Sequence, residues 1–246
     1  MINLKIVGII PARYASSRFE GKPLVDILGK PMVQHVYERA SRAKTLAEVI
    51  VATDDHRIYD AIVGFGGNPF MTPECSTGTD RVAYIADALD CDVVVNIQCD
   101  EPLLEPTMID QLVQPFIDDP GTQISTLKQR IQVEADYRDS NVVKVITDLA
   151  GNALYFSRAA IPGNFSNNWL ETNPIYQHVG LYAYRREQLI AYTKWERTPY
   201  EVLEELEQLR FLEHGLKIRV VETEYSLVSV DVPADLARVL AVLETR

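Results

Sequence analysis

Three cations lie close together near the N-terminus: Arg13, Arg18 and Lys22, with Ser16, Ser17 and Gly21 among them. Arginine grips phosphate oxygens through paired N–H bonds, and lysine adds a mobile point charge. The grouping suits a polyanion, most simply a nucleoside triphosphate. An ordinary solvated loop can also carry basic residues, but this loop has a particular position. It follows a continuous apolar run, Ile6-Val7-Gly8-Ile9-Ile10, that reads as a buried parallel strand. Pro11 has no N–H to offer and ends that strand's ladder. In open α/β sheets, ligands bind beyond the carboxyl ends of strands.

Two distant carboxylates complement the cations. Asp100 follows the apolar run Val93–Ile97, and Asp231 follows the strand-like stretch Leu227–Val230. Carboxylates from separate strand ends can hold Mg²⁺ while phosphate oxygens and waters complete its octahedron. The bland alternative for each, weaker for Asp100 than for Asp231, is an exposed turn aspartate. Ser76-Thr77-Gly78-Thr79-Asp80-Arg81 runs from a small-residue turn into a helix, with Thr79 the expected N-cap. Cys75, Cys91 and Cys99 are odd in number and lack paired spacing, so they read as free thiols of a reducing compartment. No nucleophile elbow, zinc-protease helix, Walker loop or dinucleotide fingerprint is present.

The elements that must position these groups alternate through the first half. Helices are expected at Pro31–Ala43, His56–Val63, Asp80–Leu89 and Pro106–Ile117. Strands are expected at Val49–Ala52, Pro69–Met71 and Val93–Ile97. This rhythm predicts an α/β protein with a mostly parallel sheet, helices on both faces and right-handed crossovers. The middle changes character: short strand signals at Ile124–Lys128, Val142–Ile146, Ala153–Phe156 and His178–Tyr184 suggest a β-rich insertion over roughly 124–184. Gly163–Pro174 reads as a loop. Helices return at Arg186–Tyr192, Glu204–His214 and Pro233–Leu243, and a strand at Lys217–Val221. With no repeat or linker, residues 1–246 are expected to form one domain.

Composition narrows the partners. A net charge of −11 argues against a general nucleic-acid binder. No apolar run approaches the roughly 20 residues that span a bilayer. The first residues lack a basic stretch leading into an apolar one, so a cytoplasmic location is expected.

At the cationic loop, IIPARYASSRFEGKPL closely resembles the signature of the 3-deoxy-manno-octulosonate (KDO) cytidylyltransferases. The likeness extends from about Ile6 to Val239, through separated motifs in the same order. Gln98-Cys99-Asp100-Glu101-Pro102 stands where that family has QGDEP, and Val230–Asp235 where it has VDTPED. STGTDR resembles its SGTER element, which lines the cytosine pocket. ALYFSR, the strand around His178 and LEQLR match its sugar-binding elements.

The resemblance implies a Rossmann-like nucleotidyltransferase fold of the glycosyltransferase-A type, and a homodimer through the β-rich insertion. It implies CTP and KDO as substrates, with CMP-KDO and pyrophosphate as products, for lipopolysaccharide synthesis. Arg13, Arg18, Lys22 and Asp100 take catalytic roles, and Asp100 and Asp231 bind Mg²⁺. Pro11, Ala12, Thr77, Gly78, Arg81 and Gln98 join the three cations around the nucleotide. Arg158, His178, Tyr182, Glu207 and Gln208 bind the sugar. Without the resemblance, the aromatic cluster reads as core or dimer packing and His178 as a structural histidine. Three departures stand out: Cys99 for a Gly, Glu20 for a Pro, and Val232 with Ala234 for Thr and Glu. They leave room for 8-amino-KDO or another acidic sugar as acceptor, or for a sugar-nucleotide sensor that has lost turnover.

Overall fold

The computed structural model describes residues 4–15, 19–163 and 174–243. The first elements are β1 (Ile6–Pro11), β2 (Asp26–Ile27), β3 (Lys30–Pro31), α1 (Met32–Ala40), β4 (Glu48–Thr53), α2 (His56–Gly64), β5 (Pro69–Met71), α3 (Gly78–Ala88), β6 (Val93–Asn96) and α4 (Pro106–Asp118). Then come β7 (Ile124–Arg130), β8 (Lys144–Thr147), β9 (Ala153–Ser157), β10 (Tyr176–Arg185) and β11 (Ile218–Glu222), with short helices among them. The chain resolves into two compact units, one of residues 1–110 with 227–246 and one of residues 111–226.

In the first unit the strands run β6-β1-β4-β5, every pairing parallel. β1 lies inside this set and buries five consecutive residues, because a strand with neighbours on both edges and covered faces has no polar side to keep. Gly8 sits at a close approach: a Cβ there would lie 2.8 Å from Leu46 Cδ1 and 3.0 Å from Ile97 Cδ1. The ladder runs one residue past Pro11, through Ala12 N to Ala52 O at 2.8 Å. Thus the expected cationic loop leaves the carboxyl end of a central strand.

A second apolar cluster in this unit joins Ile27, Met32, Leu103, Val230 and Val239, with Leu236 and Leu240 packed against it. Fully burying such a side chain stabilises by roughly 1.5–3 kcal/mol. The cluster therefore anchors the returning chain, Leu227 onward, beside the residues that follow β6. Leu227–Val230 does not form the expected strand, however. It is held by burial of Val230 and by one backbone bond, Val230 N to Asp100 O at 2.9 Å. The last helix is also shorter than expected: Pro233–Asp235 is a 3₁₀ turn and the α-helix starts at Leu236.

The second unit holds the β-rich block. Its strands run β11-β7-β10-β8-β9, with β11 parallel to β7 and the other pairings antiparallel. β10 bulges between Val179 and Tyr182: His178 pairs with Lys128 and Tyr182 with Thr126. The helix expected over Glu204–His214 is shorter, Gln208–Glu213, and Glu204 instead ends a separate helix, Pro199–Glu204. They are separated because Glu205 adopts φ 53°, a left-handed conformation that ends a helix. A buried ion pair, Arg210 Nε to Glu201 Oε2 at 2.7 Å, ties the two helices together. Most of the loop expected over Gly163–Pro174, residues 164–173, lies outside the described residues.

Candidate functional site

In the first unit, Lys22 is the meeting point. Gly21, at φ 70°, turns the chain into a short 3₁₀ helix that begins at Lys22. Its backbone N–H donates to Tyr14 O at 2.9 Å, closing the loop on itself. The Lys22 ammonium then lies 2.7 Å from Asp100 Oδ2 and 4.0 Å from Asp231 Oδ1. Two carboxylates separated by more than a hundred residues share one cation. Arg13 is exposed on the same loop, and Arg18 lies outside the described residues.

The ends of β1 and α3 come together beside this loop. A Cβ on Gly78 would sit 3.4 Å from Pro11 Cγ, so the first turn of α3 lies against the Pro11 ring. Thr77, not Thr79, is the N-cap: Asp80 N donates to Thr77 Oγ1 at 3.0 Å, and Thr77 N to Asp80 Oδ2 at 3.2 Å. The reciprocal bond from Asp80 moves the cap two residues upstream and frees Thr79 to be buried. Arg81 is almost wholly buried, donating from Nη2 to Asp54 Oδ2 at 2.6 Å and from Nη1 to Thr72 Oγ1. Its guanidinium thus braces the turn before α3 against the end of β4. Asp54 was visible in the sequence only as one more acid after a strand. Gln98 donates to Asn96 Oδ1 at 3.3 Å.

The departures at this end are accommodated. Cys99 is buried and is not among the described non-glycine residues with positive φ, so replacing a glycine imposes no backbone strain there. Burial, with Asp100 alongside, pushes its thiol well up, away from nucleophilic character. Asp231 N and Val232 N both donate to Asp235 Oδ2, at 2.9 and 3.0 Å. Asp235 therefore holds the turn after Asp231 despite Val232 and Ala234. Glu20 is exposed, and its charge reaches the Arg57 guanidinium, which itself stacks 3.3 Å above the Tyr14 ring.

Glu101, next to Asp100, is buried and accepts a hydrogen bond from Ser229 Oγ on Oε1. Its Oε2 is buried with no hydrogen-bond partner. Burial raises its pKa to about 8, opposed by the Ser229 bond and reinforced by the charges of Asp100 and Asp231.

The second unit holds the five residues that the resemblance assigns to the sugar. His178 and Tyr182 share a face of β10, with ring centroids 5.3 Å apart. The bulge inserts two residues, so the side-chain alternation is preserved across it. His178 Nε2 is 2.9 Å from Thr126 Oγ1, and its ring meets Phe156 edge-on at 5.0 Å. Burial lowers its pKa to about 3, so it is a neutral hydrogen-bonding group, not a cation. Arg158 Nε donates to Glu204 O at 2.8 Å, and its backbone N–H to Glu204 Oε2 at 2.8 Å. Nη1 and Nη2 reach Ser140 O and Glu205 O at 3.3 and 3.5 Å. Arg158 thus fastens the left-handed turn that leads to Glu207, the N-cap of the next helix, and Gln208, its first residue. Gln208 is buried, and its Nε2 has no hydrogen-bond partner. A buried unpaired amide is costly unless a ligand completes it.

No group of three or more His, Cys, Asp or Glu side chains among the described residues is arranged to hold a metal alone. Asp100 and Asp231 nevertheless fit a hard divalent cation. Both are oxygen donors already drawn towards one positive centre, the Lys22 ammonium, and a bound triphosphate would supply further oxygens.

A parallel sheet, a cationic turn at the end of its central strand and two acids on that turn's lysine define an α/β nucleotidyltransferase. The family profile described as Cytidylyltransferase matches residues 7–218. The 3-deoxy-manno-octulosonate cytidylyltransferase of Geotalea uraniireducens (strain Rf4) is 52% identical over 247 residues, covering 96% of this chain and 98% of that protein. That of Geobacter sulfurreducens (strain ATCC 51573 / DSM 12127 / PCA) is 50% identical, covering 98% and 100%. The solved structure of CMP:2-keto-3-deoxy-manno-octonic acid synthetase complexed with CTP superposes with a TM-score of 0.93 at 42% identity, covering 98% of this chain and 99% of that one. A 4-diphosphocytidyl-2C-methyl-D-erythritol synthase from Anaerococcus prevotii DSM 20548, at 17% identity and TM-score 0.66, shares the fold. This chain belongs to the cytidylyltransferase family and, within it, to the 3-deoxy-manno-octulosonate cytidylyltransferases.

Proposed function

We propose that this enzyme transfers the cytidylyl group of CTP to the anomeric hydroxyl of KDO, giving CMP-KDO and pyrophosphate for lipopolysaccharide synthesis. The observation that carries the reading is the convergence of Asp100 and Asp231 on Lys22 at the end of the sheet's central strand. The sugar hydroxyl attacks the α-phosphorus in line with the departing pyrophosphate, and a proton is released. No covalent enzyme intermediate is needed. Arg13, Arg18 and Lys22 offset charge on the triphosphate, and the Pro11–Ala12 backbone, Gln98, Thr77 and Gly78 hold the nucleotide. Arg81 braces that turn through Asp54. Asp100 and Asp231 would hold Mg²⁺, which when bound would supply charge neutralisation at the α-phosphate and favour ionisation of the attacking hydroxyl.

Arg158, His178, Tyr182, Glu207 and Gln208 hold the acidic sugar. Neutral His178 and the unpaired Gln208 amide support hydroxyl recognition by hydrogen bonding. Most of the acceleration then comes from positioning and fixed electrostatics.

The homodimer through the β-rich block belongs to the same proposal and rests on the family resemblance. No helix among the described residues is long and apolar enough to cross a membrane. Purified protein given CTP, Mg²⁺ and KDO is expected to release pyrophosphate. Silence with KDO, 8-amino-KDO and sialic acid alike would overturn the proposal. A preference for 8-amino-KDO would redirect it to that acceptor.

A further inference from the structure

Asp231 stands on a segment with no ladder of its own. Residues 225–231 belong to no helix or strand, yet Asp231 must be held opposite Asp100 against the mutual repulsion of two carboxylates. Two bonds reach this segment from the residues around Asp100. Val230 N donates to Asp100 O at 2.9 Å, and Ser229 Oγ donates to Glu101 Oε1 across 128 positions of sequence. Val230 is fully buried, and Glu101 is 8% exposed, so neither bond competes freely with water. Glu101 Oε2 is buried without a partner, which leaves Ser229 as the hydrogen bond that orients this carboxyl group. On the far side, Asp235 Oδ2 takes the N–H groups of Asp231 and Val232.

We propose that Ser229 and Glu101 form a clasp that sets the spacing of the Asp100 and Asp231 carboxylates, and so are positioning residues for the cation held between them. The inference rests on the reading of Asp100 and Asp231 as a cation site. The clasp joins the residue next to Asp100 to the residue two before Asp231, and neither belongs to the groups proposed to hold the cation or the nucleotide. Losing it lets the Asp231 carboxylate relax away from Asp100, which weakens the cation more than it slows the chemical step once the cation is bound. Ser229→Thr keeps the donor, and Glu101→Gln keeps an acceptor of the same shape.

The test is calorimetric titration of Mg²⁺ into the CTP-bound protein, beside kcat at saturating Mg²⁺ and the melting temperature. Ser229→Ala is expected to raise the half-saturating Mg²⁺ concentration about tenfold, the usual effect of losing an outer-shell partner, with kcat changed less than about threefold. Ser229→Thr and Glu101→Gln should stay within about threefold of the parent midpoint. Asp231→Asn is the control for the site itself. If Asp231→Asn shifts the midpoint and Ser229→Ala does not, the clasp is overturned and the cation site stands. If neither shifts it, the cation site is wrong and the clasp falls with it. A lowered melting temperature in Ser229→Ala with an unmoved midpoint would reduce the pair to a packing contact. Should Ser229→Ala not fold, Glu101→Leu, which removes the acceptor, decides: a midpoint raised about tenfold supports the clasp, and an unmoved midpoint overturns it.

Discussion

The acids and the lysine at the proposed reaction centre differ in how tightly the protein holds them. Asp100 is partly buried and within 2.7 Å of Lys22 Nζ, whereas Asp231 is more exposed and 4.0 Å away. Asp100→Asn is therefore expected to cut turnover by about tenfold or more, with a native circular dichroism spectrum, since it removes one of the two carboxylates proposed to hold the cation that offsets phosphate charge. An unchanged rate would remove Asp100 from the centre. His178 behaves differently, because burial depresses its pKa to about 3 from an ordinary 6.5. The unfolded chain binds this proton more readily than the folded one. The resulting stability is fully present above about pH 6.5 and is lost as pH falls towards about 3. Urea midpoints across that window should decline with acidity, and His178→Gln should flatten the decline. Equal slopes in both proteins would assign the acid sensitivity to other groups.

At the level of elements, the caps and turns aim the side chains. Thr77 and Asp80 satisfy each other's backbone donors at the start of α3, which fixes Gly78 against Pro11. Thr77→Ala is expected to cost about 1 kcal/mol in chemical denaturation, the common value for a lost N-cap. It should also raise the KM for CTP more than it lowers kcat if that turn meets the base. In the other unit, Arg158 and the Arg210–Glu201 pair brace the turn at Glu205 from two sides. That turn corrects the continuous helix expected over Glu204–His214. A helix would have carried Glu207 and Gln208 in mid-turn, whereas the break presents them at a helix start. Periodicity alone could not reveal the break, because Glu is a good helix former and its left-handed φ is imposed by tertiary bonds.

For the whole molecule, ligand binding should be visible as stability. A ligand that binds only the folded state stabilises it by about 2.7 kcal/mol at a hundredfold excess over Kd. CTP with Mg²⁺ is therefore expected to raise the melting temperature by several degrees, and CTP with a chelator by clearly less. Equal shifts in the two would argue that the nucleotide binds without the divalent ion. The net charge of −11 sharpens the contrast, since an acidic protein takes up a polyanion only where cations are locally concentrated.

Much was legible in the residues themselves. The apolar runs determined β1, β4 and β6, because a buried parallel strand needs no polar alternation and leaves an unmistakable trace. Charge types and small residues set apart the loop proposed to bind phosphate, and two acids after apolar stretches set apart the proposed cation site. What the sequence could not contain was distance. Only the tertiary structure brings Asp231 beside Asp100 on Lys22, through a segment whose strand-like pattern forms no strand, held by Val230's burial and the Ser229–Glu101 bond. Only it turns Arg81 towards Asp54. Local pattern encodes which groups a strand or loop offers, while the pairing of groups a hundred residues apart is decided by how the core packs.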